Sequence, residues 1–245
     1  MTNSIIQGVR EELIEKNSLR VGINASNFLL VSSIDSDGLP FGIAPDLGRL
    51  FAHQLEVTPE FVLFENPGKL ADAGTEGAWD IAFVGNEPQR AKDIAFSAPY
   101  LEIPVTFLVR GDSSIKDLSE VDQLGNRISV MNRSAYDLYL TAKIKYATIV
   151  RAKSIDESFE QFAHGQLEVL GGLKPRLESD CKKIPGSRIL DGQITSVKQS
   201  AGTLPIHKKS AKYLHEFIER AKATGVVSNL IKKYNVNGVS VAPPA

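Results

Sequence analysis

Short apolar runs typical of strands alternate with helical patterns along this chain, and the alternation begins twice. The first series has strand-type runs at 19–23, 57–64, 80–84 and 103–109 and helical patterns at 44–55 and 70–78. After Gly111 and Asp112 the second series has strand-type runs at 127–131, 148–150, 168–170 and 188–190 and helical patterns at 134–145, 155–164 and 175–183. Two further helical patterns follow, at 209–224 and 226–234. Such alternation predicts an α/β fold, with parallel strands covered by helices on both faces.

The length of the chain agrees with a doubled organisation. A domain has about 150 residues as a rule, so 245 residues are many for one compact domain and few for two independent ones. Glycines mark two seams, near Gly111 and near Gly202. We therefore expect two α/β parts that are joined near these two positions.

The charge balance excludes several classes of partner. Lys and Arg number 28 against 29 Asp and Glu, which gives a net charge of -1. A nucleic-acid binder needs a basic stripe, and a polybasic membrane-surface protein needs an excess of cations, so we expect neither partner. Cys181 is the single cysteine and the four histidines lie far apart, so no metal-ligand spacing is present and we expect no metal and no cofactor.

The N-terminal segment carries no recognisable targeting signal. The longest unbroken apolar run has about four residues, whereas a membrane-spanning helix needs about 20, so we expect no membrane insertion. No basic segment, apolar segment and cleavage site follow one another at the start of the chain. The sequence as given therefore favours the cytoplasm, unless a signal has been removed. Ser4 followed by apolar residues at helical spacing predicts a helical extension over 1–18, with Ser4 as its N-cap.

A stretch from Asp80 to Tyr100 resembles the signature of a known family. It reads DIAFVGNEPQRAKDIAFSAPY, a strand, a loop, an arginine and then a Phe-Ser-x-Pro-Tyr motif. Other blocks agree with the same family in order, at 19–22, 42–47, 109–112, 128–135, 162–168 and Gly202. Together they resemble extracytoplasmic solute-binding proteins of the polar-amino-acid type, family 3, over about residues 19–236.

The resemblance implies a two-lobed α/β architecture, the type II periplasmic-binding-protein fold, with a ligand cleft between the lobes. Residues 19–110 and 203–245 would form lobe 1, and residues 111–202 would form lobe 2, with crossover segments near 110 and 200. Hinge closure around the ligand is the expected motion. The implied function is reversible binding of a small carboxylate-bearing solute for an ABC permease, by a monomer, and the family expectation for its compartment is the periplasm.

Arg90 is the leading candidate for a ligand contact in lobe 1. A guanidinium offers a planar fork of donors that fits a carboxylate, and Arg90 follows a strand end, where open α/β sheets bind ligands. The resemblance assigns this arginine to the ligand carboxylate. The other candidates in lobe 1 and beside the second crossover are Asn27, Phe28, Gly85, Asn86, Glu87 and Gln199. Two alternatives stay open, because Phe28 is also a candidate core residue and Glu87, before Pro88, is also a candidate N-cap.

Lobe 2 contributes candidates that depart from the family pattern. Ser134, with Arg133 and Ala135 beside it, begins a helix and is either an anion contact or an ordinary N-cap. At Leu173 the family carries an aspartate that pairs with the ligand's ammonium group. Burying an ammonium without a counter-charge is costly. We therefore expect a carboxylate ligand without a free α-ammonium, unless Glu87 supplies the missing charge.

Two other functions remain open at this point. The superfamily includes cyclohexadienyl dehydratases, which need a carboxyl group of raised pKa as general acid, and Glu87 is the candidate. The fold also serves as a ligand-sensing module. The sequence favours a binding protein over an enzyme, because it shows no pairing of a nucleophile with a base and no phosphate-binding loop.

Overall fold

The computed structural model describes residues 2–15, 17–165 and 167–245. Met1 and Lys16, in the predicted N-terminal extension, lie outside the described residues. So does Gln166, within the 162–168 block of the family resemblance.

The described helices are α1 (Thr2–Leu13), α2 (Ile43–Gln54), α3 (Pro67–Thr75), α4 (Ala135–Lys143), α5 (Ile155–Ala163), α6 (Lys174–Cys181), α7 (Lys208–Ala223) and α8 (Val226–Lys233). The described strands are β1 (Ser18–Asn24), β2 (Ser33–Ile34), β3 (Pro40–Phe41), β4 (Thr58–Phe64), β5 (Ile81–Gly85), β6 (Ala95–Val109), β7 (Arg127–Met131), β8 (Thr148–Ala152), β9 (Val169–Leu173), β10 (Arg188–Ile189), β11 (Thr195–Thr203) and β12 (Ser240–Val241). Short 3-10 turns lie at Arg90–Lys92 and Leu118–Glu120.

The chain divides into two compact units. The first contains Met1–Glu102 and Lys198–Ala245, and the second contains Ile103–Val197. The chain therefore passes between the units twice, within β6 and within β11. The lobe boundaries predicted near 110 and 202 lie close to the ends of these same two strands, and they stay a prediction.

In the first unit, β1 lies between two parallel neighbours. It pairs with β4 from Ser18 to Asn24 and with β5 from Val21 to Ile23. Strand β11 then pairs with β5 in the antiparallel sense, with Gln199 opposite Gly85. Buried apolar side chains of the strands and helices form the core, among them Leu19, Val21, Ile23, Leu47, Phe51, Trp79, Phe83 and Leu214. The predicted parallel pairing is present between β1, β4 and β5, and antiparallel β11 makes this part of the sheet mixed.

The second unit has its own set of paired strands and its own core. Strand β7 is parallel to both β8 and β9, while residues 105–109 of β6 run antiparallel to β9. One buried cluster in this unit contains Leu108, Phe159, Phe162, Leu170 and Leu177. The parallel strands with a helix between them are the βαβ arrangement that the second series of patterns predicts.

The N-terminal helix α1 packs against α7 in the first unit. The Glu12 carboxylate accepts hydrogen bonds from the backbone N–H groups of Lys209 at 3.2 Å and Ser210 at 2.8 Å. These N–H groups lie in the first turn of α7, where helix donors have no partner inside the helix. Helix α1 begins at Thr2, so Ser4 lies within the helix and the prediction of Ser4 as its N-cap is wrong.

Among the described residues, no helix combines the length and the apolar character that crossing a membrane requires.

Candidate functional site

One edge of the sheet in the first unit collects most of the predicted site residues. Strands β1 and β5 are parallel and end at Asn24 and Gly85, so the loops that follow them leave the same edge. Antiparallel β11 brings Gln199 opposite Gly85 at this edge. The carboxyl ends of parallel strands are where open α/β folds bind ligands. The edge carries Asn27, Phe28, Gly85, Asn86, Glu87, Arg90 and Gln199.

Arg90 is held in place by its own loop. Arg90 is only 6% exposed. Its Nη1 atom donates a hydrogen bond to the Gly85 carbonyl oxygen at 2.9 Å. The backbone N–H of Arg90 donates to the Glu87 carbonyl oxygen at 2.9 Å, which starts the 3-10 turn. The loop is tied to β11, because the Asn86 N–H donates to the Lys198 carbonyl oxygen at 2.8 Å. The guanidinium is therefore positioned before any ligand arrives.

Glu87 is half-buried in the same loop. Burial raises the pKa of its carboxyl group to about 7, although the positive charge of Arg90 acts in the opposite direction. Its carboxylate accepts no hydrogen bond and forms no ion pair with any residue that the structure describes. The backbone carbonyl oxygen of Glu87 accepts from the N–H groups of Arg90 and Ala91, so the turn begins at Glu87 without help from its side chain. The carboxylate is thus not an N-cap.

The remaining residues of this edge differ in exposure. Asn27 is 7% exposed and its Oδ1 accepts from the Leu29 N–H at 3.2 Å, which closes the turn after β1. Phe28, at 42% exposed, is not a core residue. Gln199 is 5% exposed, yet its side-chain amide forms no hydrogen bond with the described residues. The amide can both donate to and accept from a polar ligand group.

In the second unit, Ser134 is the N-cap of α4. It is 4% exposed, and its Oγ accepts from the Asp137 N–H at 3.1 Å. The Asp137 carboxylate in turn accepts from the Arg133 N–H at 2.7 Å and pairs with Arg151 at 2.9 Å. Arg133 has a φ of 57°, the left-handed region that favours glycine. Ser134 therefore acts as an N-cap, one of its two predicted roles. Its other role, as an anion contact together with the adjacent Ala135, stays a prediction.

Tyr136 is a residue near Ser134 that the sequence argument did not include. It is 4% exposed, and burial raises the pKa of its hydroxyl group to about 12. Hydrogen bonds with the Ser134 side chain and the Met131 backbone act in the opposite direction and lower this pKa. A tyrosine in the first turn of a helix is also a common core residue, so its type gave no functional signal. Only the folded chain places this hydroxyl against the N-cap.

Leu173 ends β9 and is 7% exposed. This position therefore offers no charged side chain to a ligand, as the sequence predicts. Arg176, which follows on α6, forms ion pairs with Asp180 and Asp156, each at 2.7 Å. Its charge is thus committed to a local network. Among the described residues, no group of three or more His, Cys, Asp or Glu side chains is arranged to hold a metal ion.

Comparison with known proteins identifies the class of protein. Residues 19–237 match the bacterial extracellular solute-binding proteins, family 3. A curated relative is the amino-acid-binding protein AabA of Dichelobacter nodosus, 25% identical over 232 residues, with 89% of this chain and 88% of the relative covered.

Solved structures show the same fold. The P235GK mutant of the arginine-binding protein ArgBP from T. maritima has a TM-score of 0.74 at 20% identity, with 94% of this chain and 99% of that chain covered. An ancestral amino acid-binding protein, a precursor of cyclohexadienyl dehydratase, has a TM-score of 0.73 at 21% identity, with 95% and 98% covered. The chain belongs to the bacterial extracellular solute-binding proteins of family 3 and has their two-lobed α/β fold.

Proposed function

We propose that this protein reversibly binds a small solute that bears a carboxylate, an amino acid or a related organic acid, with Arg90 as the carboxylate anchor. The observation that carries the proposal is the position of Arg90. It is buried, fixed by the Gly85 carbonyl oxygen, and set at the carboxyl edge of parallel strands. A guanidinium in such a place binds a carboxylate through paired, charge-assisted hydrogen bonds.

The relatives support an amino-acid-like ligand. AabA is an amino-acid-binding protein, and ArgBP is an arginine-binding protein. Both kinds of ligand carry the α-carboxylate that an arginine anchor recognises. The side-chain amide of Gln199, which lies opposite Gly85 at the same edge, adds a neutral polar contact for such a ligand.

The proposal includes the role of the family in transport. Family 3 proteins act outside the cytoplasm, so we place this protein there, where it delivers its ligand to an ABC permease through hinge closure. Cell fractionation of the native protein and pull-down of a permease test this part. Recovery in the cytosol with a cytosolic partner would instead support the ligand-sensing alternative.

The binding proposal is tested by thermal shift and isothermal titration with amino acids, 2-hydroxy acids and 2-oxo acids. A ligand at 100 times its Kd stabilises the folded protein by about 2.7 kcal/mol. For a chain of this size that corresponds to a rise in Tm of roughly 5–10 °C.

Arg90→Ala is expected to weaken binding at least about thirtyfold, because it removes a buried charged contact worth about 2–4 kcal/mol. Arg220→Ala is the matched control, since it removes an exposed guanidinium of the same unit. Unchanged affinity in Arg90→Ala, with a normal far-UV spectrum, would contradict the anchor.

One observation favours a second candidate function. A carboxyl group with a pKa near 7 can act as a general acid, as the dehydratase alternative requires, and Glu87 has such a pKa. Incubation with prephenate and with arogenate, monitored for an aromatic product, separates the two functions. We expect no product, because the relatives are binding proteins.

A further inference from the structure

We propose that Glu87 selects the charge class of the ligand: its carboxylate pairs with a cationic nitrogen of the same solute whose carboxylate Arg90 holds. The inference rests on the proposed function and deepens it. If Glu87 has this role, the ligand is zwitterionic or cationic, and the first unit supplies both counter-charges.

The loop fixes the backbone positions of the two charged residues relative to each other. The N–H groups of Arg90 and Ala91 donate to the Glu87 carbonyl oxygen at 2.9 and 3.0 Å. The Arg90 side chain returns to the Gly85 carbonyl oxygen at 2.9 Å, and the Asn86 N–H ties the loop to β11. A small α-amino acid presents its own two charges a few bonds apart. A carboxylate and a guanidinium that are carried three positions apart on one short loop therefore suit such a ligand.

The Glu87 carboxylate lacks a hydrogen-bonding partner among the described residues. It is half-buried, and none of the described residues donates a hydrogen bond to it or forms an ion pair with it. A desolvated carboxylate without a donor is unfavourable, and a ligand ammonium supplies both charge and donors. The family resemblance places a counter-charge for ammonium in the second unit, but the residue there is the buried, apolar Leu173.

Few other charges act on Glu87. Arg90 is the single charged residue with a resolved effect on its pKa among the described residues. Lys198 on β11 is exposed and meets the loop through its carbonyl oxygen, and the neighbouring Asn86 and Gln199 are uncharged. An ionised Glu87 would repel a second ligand carboxylate, so the same residue discriminates against dicarboxylates without a cationic group.

The test uses matched ligand pairs. The proteinogenic L-amino acids are titrated first, and every one that binds is compared with the 2-hydroxy acid of the same side chain, which lacks the ammonium. We expect Glu87→Gln to weaken binding of the amino acid at least tenfold while binding of the hydroxy acid stays unchanged or tightens. Asp93→Asn is the control, because it removes an exposed carboxylate from the end of the same loop.

The pH dependence gives a second readout. A cation on Glu87 favours its ionised form, so amino-acid affinity should fall about tenfold between pH 8 and pH 6 in the wild type, given a pKa of about 7 without ligand. Glu87→Gln should remove this dependence.

Equal effects of Glu87→Gln on both members of a pair, or no effect on either, overturn the role of Glu87. The proposed function survives that result if Arg90→Ala still abolishes binding of both members. Absence of binding by every amino acid and hydroxy acid tested overturns the proposed function and the inference together.

Discussion

At the residue scale, the loop from Gly85 to Arg90 shows how a short segment sets chemistry through backbone contacts. Glu87 and Arg90 are three positions apart, and the turn between them fixes the backbone of both. Arg90 is buried but held by a carbonyl oxygen, whereas the half-buried Glu87 carboxylate has no donor among the residues that the structure describes. Burial without compensation is why the pKa of Glu87 is raised, even beside a guanidinium.

Glu87→Gln is expected to stabilise the ligand-free protein more at pH 8 than at pH 5. The pKa of Glu87 is raised from 4.5 to about 7 in the folded state, so folding favours its protonated form. Ionised Glu87 lowers the free energy of unfolding. This loss of stability is absent below pH 4.5, grows as the pH rises to about 7 and is constant above that. After a discount for partial exposure we expect a gain of up to about 2 kcal/mol at pH 8.

Urea denaturation of both proteins at pH 5 and pH 8 measures this difference. Asp93→Asn, which removes an exposed carboxylate at the end of the same loop, serves as the comparison. A gain for Glu87→Gln that is the same at both pH values would contradict the stated titration.

At the element scale, the N-terminus of α4 is occupied by its own side chains. Ser134 accepts the Asp137 N–H, and Asp137 accepts the Arg133 N–H and pairs with Arg151. These contacts satisfy some of the backbone N–H groups that have no partner inside the helix at its N-terminus. A ligand anion there would have to share the turn with the Asp137 carboxylate, so a contact from Ser134 would come chiefly from the hydroxyl proton.

Ser134→Ala is expected to lower the free energy of unfolding by about 1 kcal/mol, because it removes the N-cap acceptor. Ser134→Thr keeps the acceptor and should cost only a few tenths of that amount. If Ser134 also contacts the ligand, Ser134→Ala should weaken binding several-fold in titrations under conditions where both proteins are fully folded. Equal affinity in Ser134→Ala and the wild type would leave Ser134 with the capping role alone.

At the scale of the whole molecule, the two units differ in how the chain builds them. The second unit is one continuous segment, Ile103–Val197, with parallel strands β7, β8 and β9 and its own core cluster. The first unit needs two separate segments, because β11 pairs with β5 and α7 packs on α1 and α2.

We expect residues 103–197 to fold alone and residues 1–102 to remain unfolded without 198–245. The N-terminal fragment loses the Gln199–Thr203 pairing along β5 and the apolar face of α7. A fragment of about 95 residues exceeds the size at which a single core becomes too small. Cooperative urea unfolding and dispersed NMR amide signals would show folding of 103–197. A cooperatively folded 1–102 fragment would contradict the expectation.

Much of the fold follows from the sequence because hydrophobic periodicity and turn residues act locally. Strand β7 has the predicted bounds. Helices α5 and α8 differ from prediction by one residue at one end, and α2 and α7 by one residue at each end. The first half of β6, where Pro99 and polar residues interrupt the pattern, was missed, as was the β2–β3 hairpin around Asp35–Gly38. Those strands form because partner strands satisfy their backbone groups, and that is a long-range effect.

The sequence by itself determined the family, the two-part α/β organisation and the choice of Arg90, because each depends on residue types in a fixed order along the chain. Tertiary structure alone decided that β11 runs antiparallel beside β5, that Gln199 faces Gly85, and that Tyr136 lies against Ser134. It also decided that Glu87 is a desolvated carboxylate and not a helix cap. Burial and partners are properties of the folded chain, so no local pattern could supply them.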